Sequence, residues 1–81
     1  MQICKVIGSV ISTRKNETLT GCRFLIVEPK NAPQFVAVDN IGAGVGEAVL
    51  VVTGSAARIA CGNSDTPTDA AIVGIIDEGS K

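Results

Sequence analysis

The residues with the clearest chemical potential are three alternating glycines, Gly42, Gly44 and Gly46, which Glu47 follows directly. Glycine-rich turns bind phosphate when a strand precedes them and a helix follows, because the helix N-terminus then faces the ligand. Here Glu47 stands where a dinucleotide fingerprint needs its third glycine, a strand-like stretch follows, and the Lys-Ser or Lys-Thr pair of a Walker loop is missing. We therefore predict a structural turn that allows close backbone approach, and no cofactor.

The second set of candidates is acidic. Carboxylates can hold a hard cation or act as an acid–base pair. The residues concerned are Asp65, Asp69, Asp77 and Glu78. Their spacing matches no known metal loop, and the chain has no histidine to act with them. We expect solvated carboxylates and no metal site.

The three cysteines, Cys4, Cys22 and Cys61, are odd in number and widely spaced. No two of them have the spacing of a zinc-ligand pair. Cys61 also falls near the end of a predicted helix, where the helix dipole disfavours a thiolate. We expect small, buried, reduced thiols, and we predict that the protein is not an enzyme.

The elements that would position these residues are mostly strands. Stretches rich in β-branched and aromatic residues predict strands at 3–13, 22–27, 35–38, 48–53 and 70–76. Gly8 is the expected place for the long first stretch to bend or bulge, and Pro29 is expected to stop the second. The polar residues 14–21 predict an exposed loop, and residues 77–81 a polar tail.

Between the last two strands, Gly54 to Cys61 favours a short helix, with Ser55 as its N-cap and Gly62-Asn63 as its stop. The length of 81 residues predicts a single domain over residues 1–81. Five short strands with one helix before the last predict a small closed or nearly closed antiparallel barrel. Arg58 is the one charge in this small-residue helix. It is either solvated at the surface or engaged in an ion pair or hydrogen bond with another subunit.

Composition indicates self-association. The 81 residues are 46% apolar, yet the only aromatics are Phe24 and Phe35, so the core is thin. Small domains of this kind commonly rely on disulfides, metals or oligomerisation, and the first two are disfavoured above. The net charge of −1 and the scattered basic residues give no stripe for nucleic acid. No signal peptide and no apolar run of about 18 residues is visible, so we expect a cytoplasmic protein without a membrane partner.

Residues 38–58, from Val38 through the glycine turn and Glu47 to Gly54-Ser55-Ala56-Ala57-Arg58, closely resemble the bacterial microcompartment vertex family, also called the EutN/CcmL family. The resemblance extends over nearly the whole chain, from Lys5-Val6-Ile7-Gly8-Ser9-Val10 to Asp69-Ala70-Ala71-Ile72-Val73-Gly74-Ile75. The chain departs from the pattern of many family members in two places: its connection from Pro29 to Phe35 is short, and Ala48 is a small residue.

The resemblance implies a mostly β, OB-like five-stranded barrel with one short helix before the last strand. It further implies a structural subunit that forms homopentamers at the vertices of a polyhedral microcompartment shell in the cytoplasm, beside hexameric shell proteins. On this basis we expect Gly54, Ser55, Ala56, Ala57 and Arg58 at a subunit interface or the axial pore. The alternative function is an OB-type module that binds small ligands or nucleic acid.

Overall fold

The computed structural model forms its strands and its helix where the β-branched and alanine-rich stretches lie. It describes residues 1–11, 22–62 and 67–77. The elements are β1 (Gln2–Val10), β2 (Arg23–Pro29), β3 (Phe35–Asp39), β4 (Ala48–Thr53), α1 (Ser55–Ala60) and β5 (Ala70–Ile76). The predicted loop at 14–21, most of the loop before β5 and the tail after Asp77 lie outside the described residues.

The five strands close into a barrel in the order β1-β2-β3-β5-β4. The predicted five-stranded barrel with one helix before the last strand is confirmed. Four junctions are antiparallel, and the junction of β3 with β5 is parallel, with Val38 opposite Ala71. An odd number of strands cannot alternate in direction all the way around a closed barrel, so one junction has to be parallel.

The bend expected at Gly8 is present one residue earlier. The register of β1 against β2 shifts between Val6, which faces Val27, and Gly8, which faces Ile26. Ile7 is therefore the extra residue of a β-bulge, a feature that raises local twist and helps a strand turn a barrel corner. The bulge allows β1 to pair with β4 over its first half and with β2 along its length.

Pro29 does not stop β2 before it, as the sequence predicted, but is the last residue of that strand, opposite Cys4. The pairing of β2 with β3 already ends at Val27 and Phe35. Pro29 therefore lies beyond the end of β3, so its missing N–H removes no hydrogen bond with that strand. A turn follows at Lys30 and Asn31.

The core is made of small aliphatic residues, as the composition indicated. The barrel interior holds Cys4, Val6, Leu25, Val27, Ala37, Ala43, Val49, Val51, Ala70 and Ile72, with Phe35 packed against them. A second cluster lies where α1 covers the barrel and contains Val52, Ala57 and Ala71, with Cys61 beside them. Ala43 enters the barrel core from the glycine turn, so the turn is part of the packing.

The helix starts differently from the prediction. Its N-cap is Gly54, with φ 67° and ψ −145°, and no side chain caps it. Ser55 is the first helical residue instead, because this backbone conformation is open almost only to glycine. The predicted stop at Gly62 is confirmed, since its N–H donates to the carbonyl of Ile59 (2.9 Å) just after the helix ends.

A substitution at Leu25 measures how much the barrel core contributes to the free energy of unfolding. Its side chain is buried in the barrel, and Leu25→Ala should lower the free energy of unfolding by about 3 kcal/mol through lost burial and a residual cavity. Urea denaturation at a fixed protein concentration measures this. Ile11→Ala is the matched control, because Ile11 is 91% exposed and a change there should stay within about 0.5 kcal/mol. Equal losses in both variants would contradict the assigned core.

Candidate functional site

The glycine turn is organised by one buried carboxylate, that of Asp39 at the end of β3. Asp39 is only 1% exposed. Its Oδ1 accepts from the N–H groups of Ile41 (3.1 Å) and Gly42 (3.2 Å), and its Oδ2 accepts from the N–H of Ala43 (3.0 Å). Three backbone donors at the base of the turn are thus satisfied by a single side chain.

Arg23 completes this arrangement from the neighbouring strand. It faces Asp39 across the β2–β3 ladder, and its Nη2 lies 3.7 Å from Asp39 Oδ2. The same guanidinium donates to the carbonyl of Ala43. A buried charge is tolerated when it is paired and hydrogen-bonded, and Asp39 meets both conditions. We infer that Asp39 and Arg23 together hold the turn against β2.

Asp39 is not among the site residues that were predicted from the sequence. A local signal was available. Aspartate and asparagine side chains commonly accept hydrogen bonds from backbone N–H groups a few residues further along and so start turns. Asp39 stands directly before Asn40-Ile41-Gly42, which is the sequence of such a turn. Its burial depends on the barrel and is not evident from the local sequence.

The rest of the turn closes on Glu47. Its Oε1 accepts from the N–H of Gly44 (2.6 Å), and its own N–H donates to the Gly44 carbonyl (3.1 Å). Gly46 then joins β1, donating to the carbonyl of Val6 (2.8 Å), while the N–H of Val6 donates to the carbonyl of Glu47 (2.9 Å). The four predicted turn residues are therefore brought together, next to the bulge in β1.

This geometry is poorly suited to phosphate. A phosphate-binding loop presents unengaged N–H groups to the ligand. In this turn the N–H groups of Gly42 and Ala43 are held by Asp39, that of Gly44 by Glu47, and that of Gly46 by Val6. The turn connects β3 to β4 and is hydrogen-bonded to β1.

The second predicted segment, Gly54 to Arg58, lies at the other end of β4. Gly54 donates to the carbonyl of Asp69 (2.9 Å), which ties the start of the helix to β5. Ala57 is buried against the barrel, Arg58 is half-buried, and Ser55 and Ala56 are exposed. Five steps along β4 separate the two segments by about 17 Å. The structure therefore brings together the members of each segment, but not the two segments.

Cys4 is buried as expected, but the expectation of buried thiols is wrong for Cys22 and Cys61, which are only partly buried. Burial raises the pKa of the thiols of Cys4 and Cys61, and for Cys61 the charge of Cys22 adds to that effect. Both thiols thus stay protonated at neutral pH, which is unfavourable for a nucleophile.

Of the four acidic candidates, the structure describes Asp69 and Asp77, which lie apart. Asp69 precedes β5 and Asp77 follows it, at opposite ends of the strand, while Asp65 and Glu78 lie outside the described residues. In the part of the chain that the structure describes, no three cysteine or acidic side chains come together as metal ligands.

No helix of that part is long and apolar enough to cross a membrane.

Removing the Asp39 carboxylate should be among the most costly changes at the turn. Asp39→Ala leaves three backbone N–H groups without an acceptor, and we expect a loss of about 4 kcal/mol in unfolding free energy. Asp39→Asn keeps one acceptor oxygen and should lose about half as much. Urea denaturation measures both losses. Asp69→Ala, at an exposed carboxylate, is the control and should change little; a comparable loss there would refute the special role of Asp39.

Gly42 tests the backbone of the turn. Its φ is +95°, and a Cβ built there meets no atom within 4 Å. Gly42→Ala should therefore cost about 1 kcal/mol through backbone strain alone. Gly74→Ala is the matched control in β5, where φ is ordinary and the added Cβ would lie 3.7 Å from Leu50 Cβ. A Gly42→Ala protein as stable as the wild type would show that the turn can adopt another conformation.

Comparison with known proteins gives a consistent family. A family model described as "Ethanolamine utilisation protein EutN/carboxysome" matches residues 1–77. The chain is 51% identical to the carboxysome shell vertex protein CcmL of Synechocystis sp. over 83 residues, covering 95% of this chain and 83% of that protein.

Two solved structures of similar proteins have the same fold as this chain. An ethanolamine utilization protein EutN superposes with a TM-score of 0.90 at 37% identity, covering 96% of this chain and 88% of its own. The GrpN pentameric microcompartment shell protein of Rhodospirillum rubrum superposes with a TM-score of 0.80 at 45% identity, covering 95% and 94%. From the family match over residues 1–77 and the shared barrel, this chain belongs to the EutN/CcmL family.

Proposed function

We propose that this protein is a structural subunit of a bacterial microcompartment shell, where it forms homopentamers that close the vertices. The observation that carries the proposal is the agreement, along nearly the whole chain, with relatives described as shell vertex proteins, one of them a pentameric shell protein in its own solved structure. The residues of this chain supply independent physical support.

The first support is the exposed aliphatic surface. Among the described residues, the large apolar side chains that remain exposed are Met1, Ile3, Ile7, Val10, Ile11, Val36, Ile41, Val45, Ile59, Val73 and Ile75. The interior of the barrel, in contrast, is built mainly from valine and alanine. Contact with other subunits would remove part of this exposed surface from water and supplement a thin core.

The second support is geometric. A flat hexagonal sheet cannot close into a polyhedron without fivefold positions, so a shell of hexamers needs a separate pentamer at its vertices. Pentamers arise when one subunit contacts the next head to tail and the rotation closes into a ring. We therefore place hexameric shell proteins around the pentamer as its neighbours.

The alternative, an OB-type module for nucleic acid or small ligands, has little support. Single-stranded nucleic acid is bound by basic grooves and stacked aromatic side chains. The chain has two phenylalanines, no tyrosine or tryptophan, and a net charge of −1. Phe35 packs against the core, which leaves little aromatic surface for bases.

Within the pentamer, we assign the segment Gly54-Ser55-Ala56-Ala57-Arg58 to a subunit contact or to the axial pore. Three features support this assignment: small exposed side chains that allow close approach, a helix tied to the barrel through Gly54, and a guanidinium that is half-buried. The turn formed by Gly42, Gly44, Gly46 and Glu47 is assigned a structural role.

Native mass spectrometry and light scattering test the proposal directly. We expect a particle of five copies of the 8.3-kDa chain that persists at micromolar concentration. Arg58→Ala should shift the assembly toward monomers more than the control Arg14→Ala does. Arg14 lies outside the described residues. A wild-type monomer across this range would refute the vertex function. Equally intact pentamers in both variants would remove Arg58 from the contact.

A further inference from the structure

Among the residues that the structure describes, a groove lies at the end of β4 that is opposite to α1. It has a volume of about 870 Å³ and crosses four neighbouring strands. Glu28, Lys5, Ala48 and Ile76 face one another in succession across these strands and line it. Its apolar lining includes Ile3, which is 62% exposed, and Ile75, which is 41% exposed. This is a concave aliphatic surface without an occupant from the described residues.

The charged side chains around the groove carry an excess of one negative charge. The carboxylates of Glu28, Glu47 and Asp77 line it, together with the two amines of Lys5 and Lys30. An occupant that combines an aliphatic projection with a positive charge would therefore be complementary to it in both shape and charge.

The exposed face of α1 has this combination. Ala56, Ile59 and Ala60 are exposed and lie on one side of the helix, because residues three and four apart are neighbours there. Ile59 is 70% exposed. Because its two neighbours on this face are alanines, its longer side chain extends beyond theirs. Arg58 adjoins it and is the single charged residue of the helix.

We propose that the α1 face of one subunit docks into the groove of the next, and that this contact repeats around the ring. The inference rests on the proposed pentamer and adds the two surfaces that form its head-to-tail contact. A heterologous contact needs two different patches on separate parts of the subunit. The groove includes Ala48 at one end of β4, and α1 follows Thr53 at the other end, about 17 Å away.

Other contacts fit less well. The strands described form a closed barrel, so subunits are not expected to join by pairing open strand edges. A second concavity of about 380 Å³ lies near Val10, Phe24 and Val45. It is concave itself and cannot fill the groove, and Arg23 beside it is already engaged with Asp39 and Ala43.

The test uses one variant for each surface, at exposed positions where folding should persist. Ile59→Asp alters the α1 face, and Ile75→Glu alters the groove. Each should raise the concentration at which the pentamer dissociates by at least about 30-fold, as expected for a residue central to an interface. Circular dichroism checks that both remain folded. Ile11→Asp, at an exposed position outside both surfaces, should leave the pentamer intact.

Mixing the two variants then asks whether the surfaces bind each other. Ile59→Asp keeps a native groove, and Ile75→Glu keeps a native α1 face, so a mixture at high concentration should form a heterodimer through one intact contact. The variants differ in mass by one methylene group, which native mass spectrometry resolves. Ile3→Asp mixed with Ile75→Glu should form no heterodimer, because both grooves are altered.

The outcomes separate this inference from the function proposed above. If the wild type is pentameric but either variant keeps the pentamer, the docking is refuted and the vertex function stands. The same conclusion follows if both variants dissociate and their mixture yields no heterodimer. If the wild type is a monomer, the vertex function itself fails.

Discussion

The buried carboxylate of Asp39 is the interaction on which the rest of this barrel depends. It holds the first N–H groups of the glycine turn, and Arg23 anchors it to β2. Fixed in this way, the turn inserts Ala43 into the core and delivers the chain to β4 through the hydrogen bonds of Gly46 and Glu47 with Val6. A buried carboxylate is costly unless each of its partners is in place. The same group that organises the turn therefore also favours this conformation, because losing these partners would leave a buried charge unsatisfied.

The position of β4 follows from this constraint and has a consequence for assembly. β4 pairs with both β1 and β5, so fixing its start fixes the groove on one side and the start of α1 on the other. Gly54 then turns the chain sharply into the helix and bonds to Asp69. The two surfaces that we assign to the subunit contact are thus held at the ends of one buried strand. Rigid spacing of this kind favours a ring of defined size, because small errors in the angle of each contact accumulate around the ring.

Much of this fold could be predicted from sequence because it depends on local rules. The β-branched stretches gave the five strands, Gly8 gave the site of the bulge to within a residue, and Gly62 gave the end of the helix. What was missed depends on surroundings. Pro29 extends β2 because β3 has already ended beside it, and Gly54 caps the helix because the chain must reverse beside β5. The parallel junction of β3 and β5 follows from closure of five strands, which no single stretch encodes. The role of Asp39 depends on Arg23 across the sheet, a contact between distant parts of the sequence.

The distribution of aliphatic residues connects stability to assembly. The barrel interior uses mainly valine and alanine, whereas seven of the exposed apolar side chains are the larger isoleucine or methionine: Met1, Ile3, Ile7, Ile11, Ile41, Ile59 and Ile75. A five-stranded barrel has a narrow interior that larger side chains would overfill, so additional apolar area has to be placed outside. Outside, it stabilises the protein only when another molecule covers it. In such a chain, the subunit contact contributes part of the stability that a wider barrel would draw from its own core, and folding and assembly are expected to depend on each other.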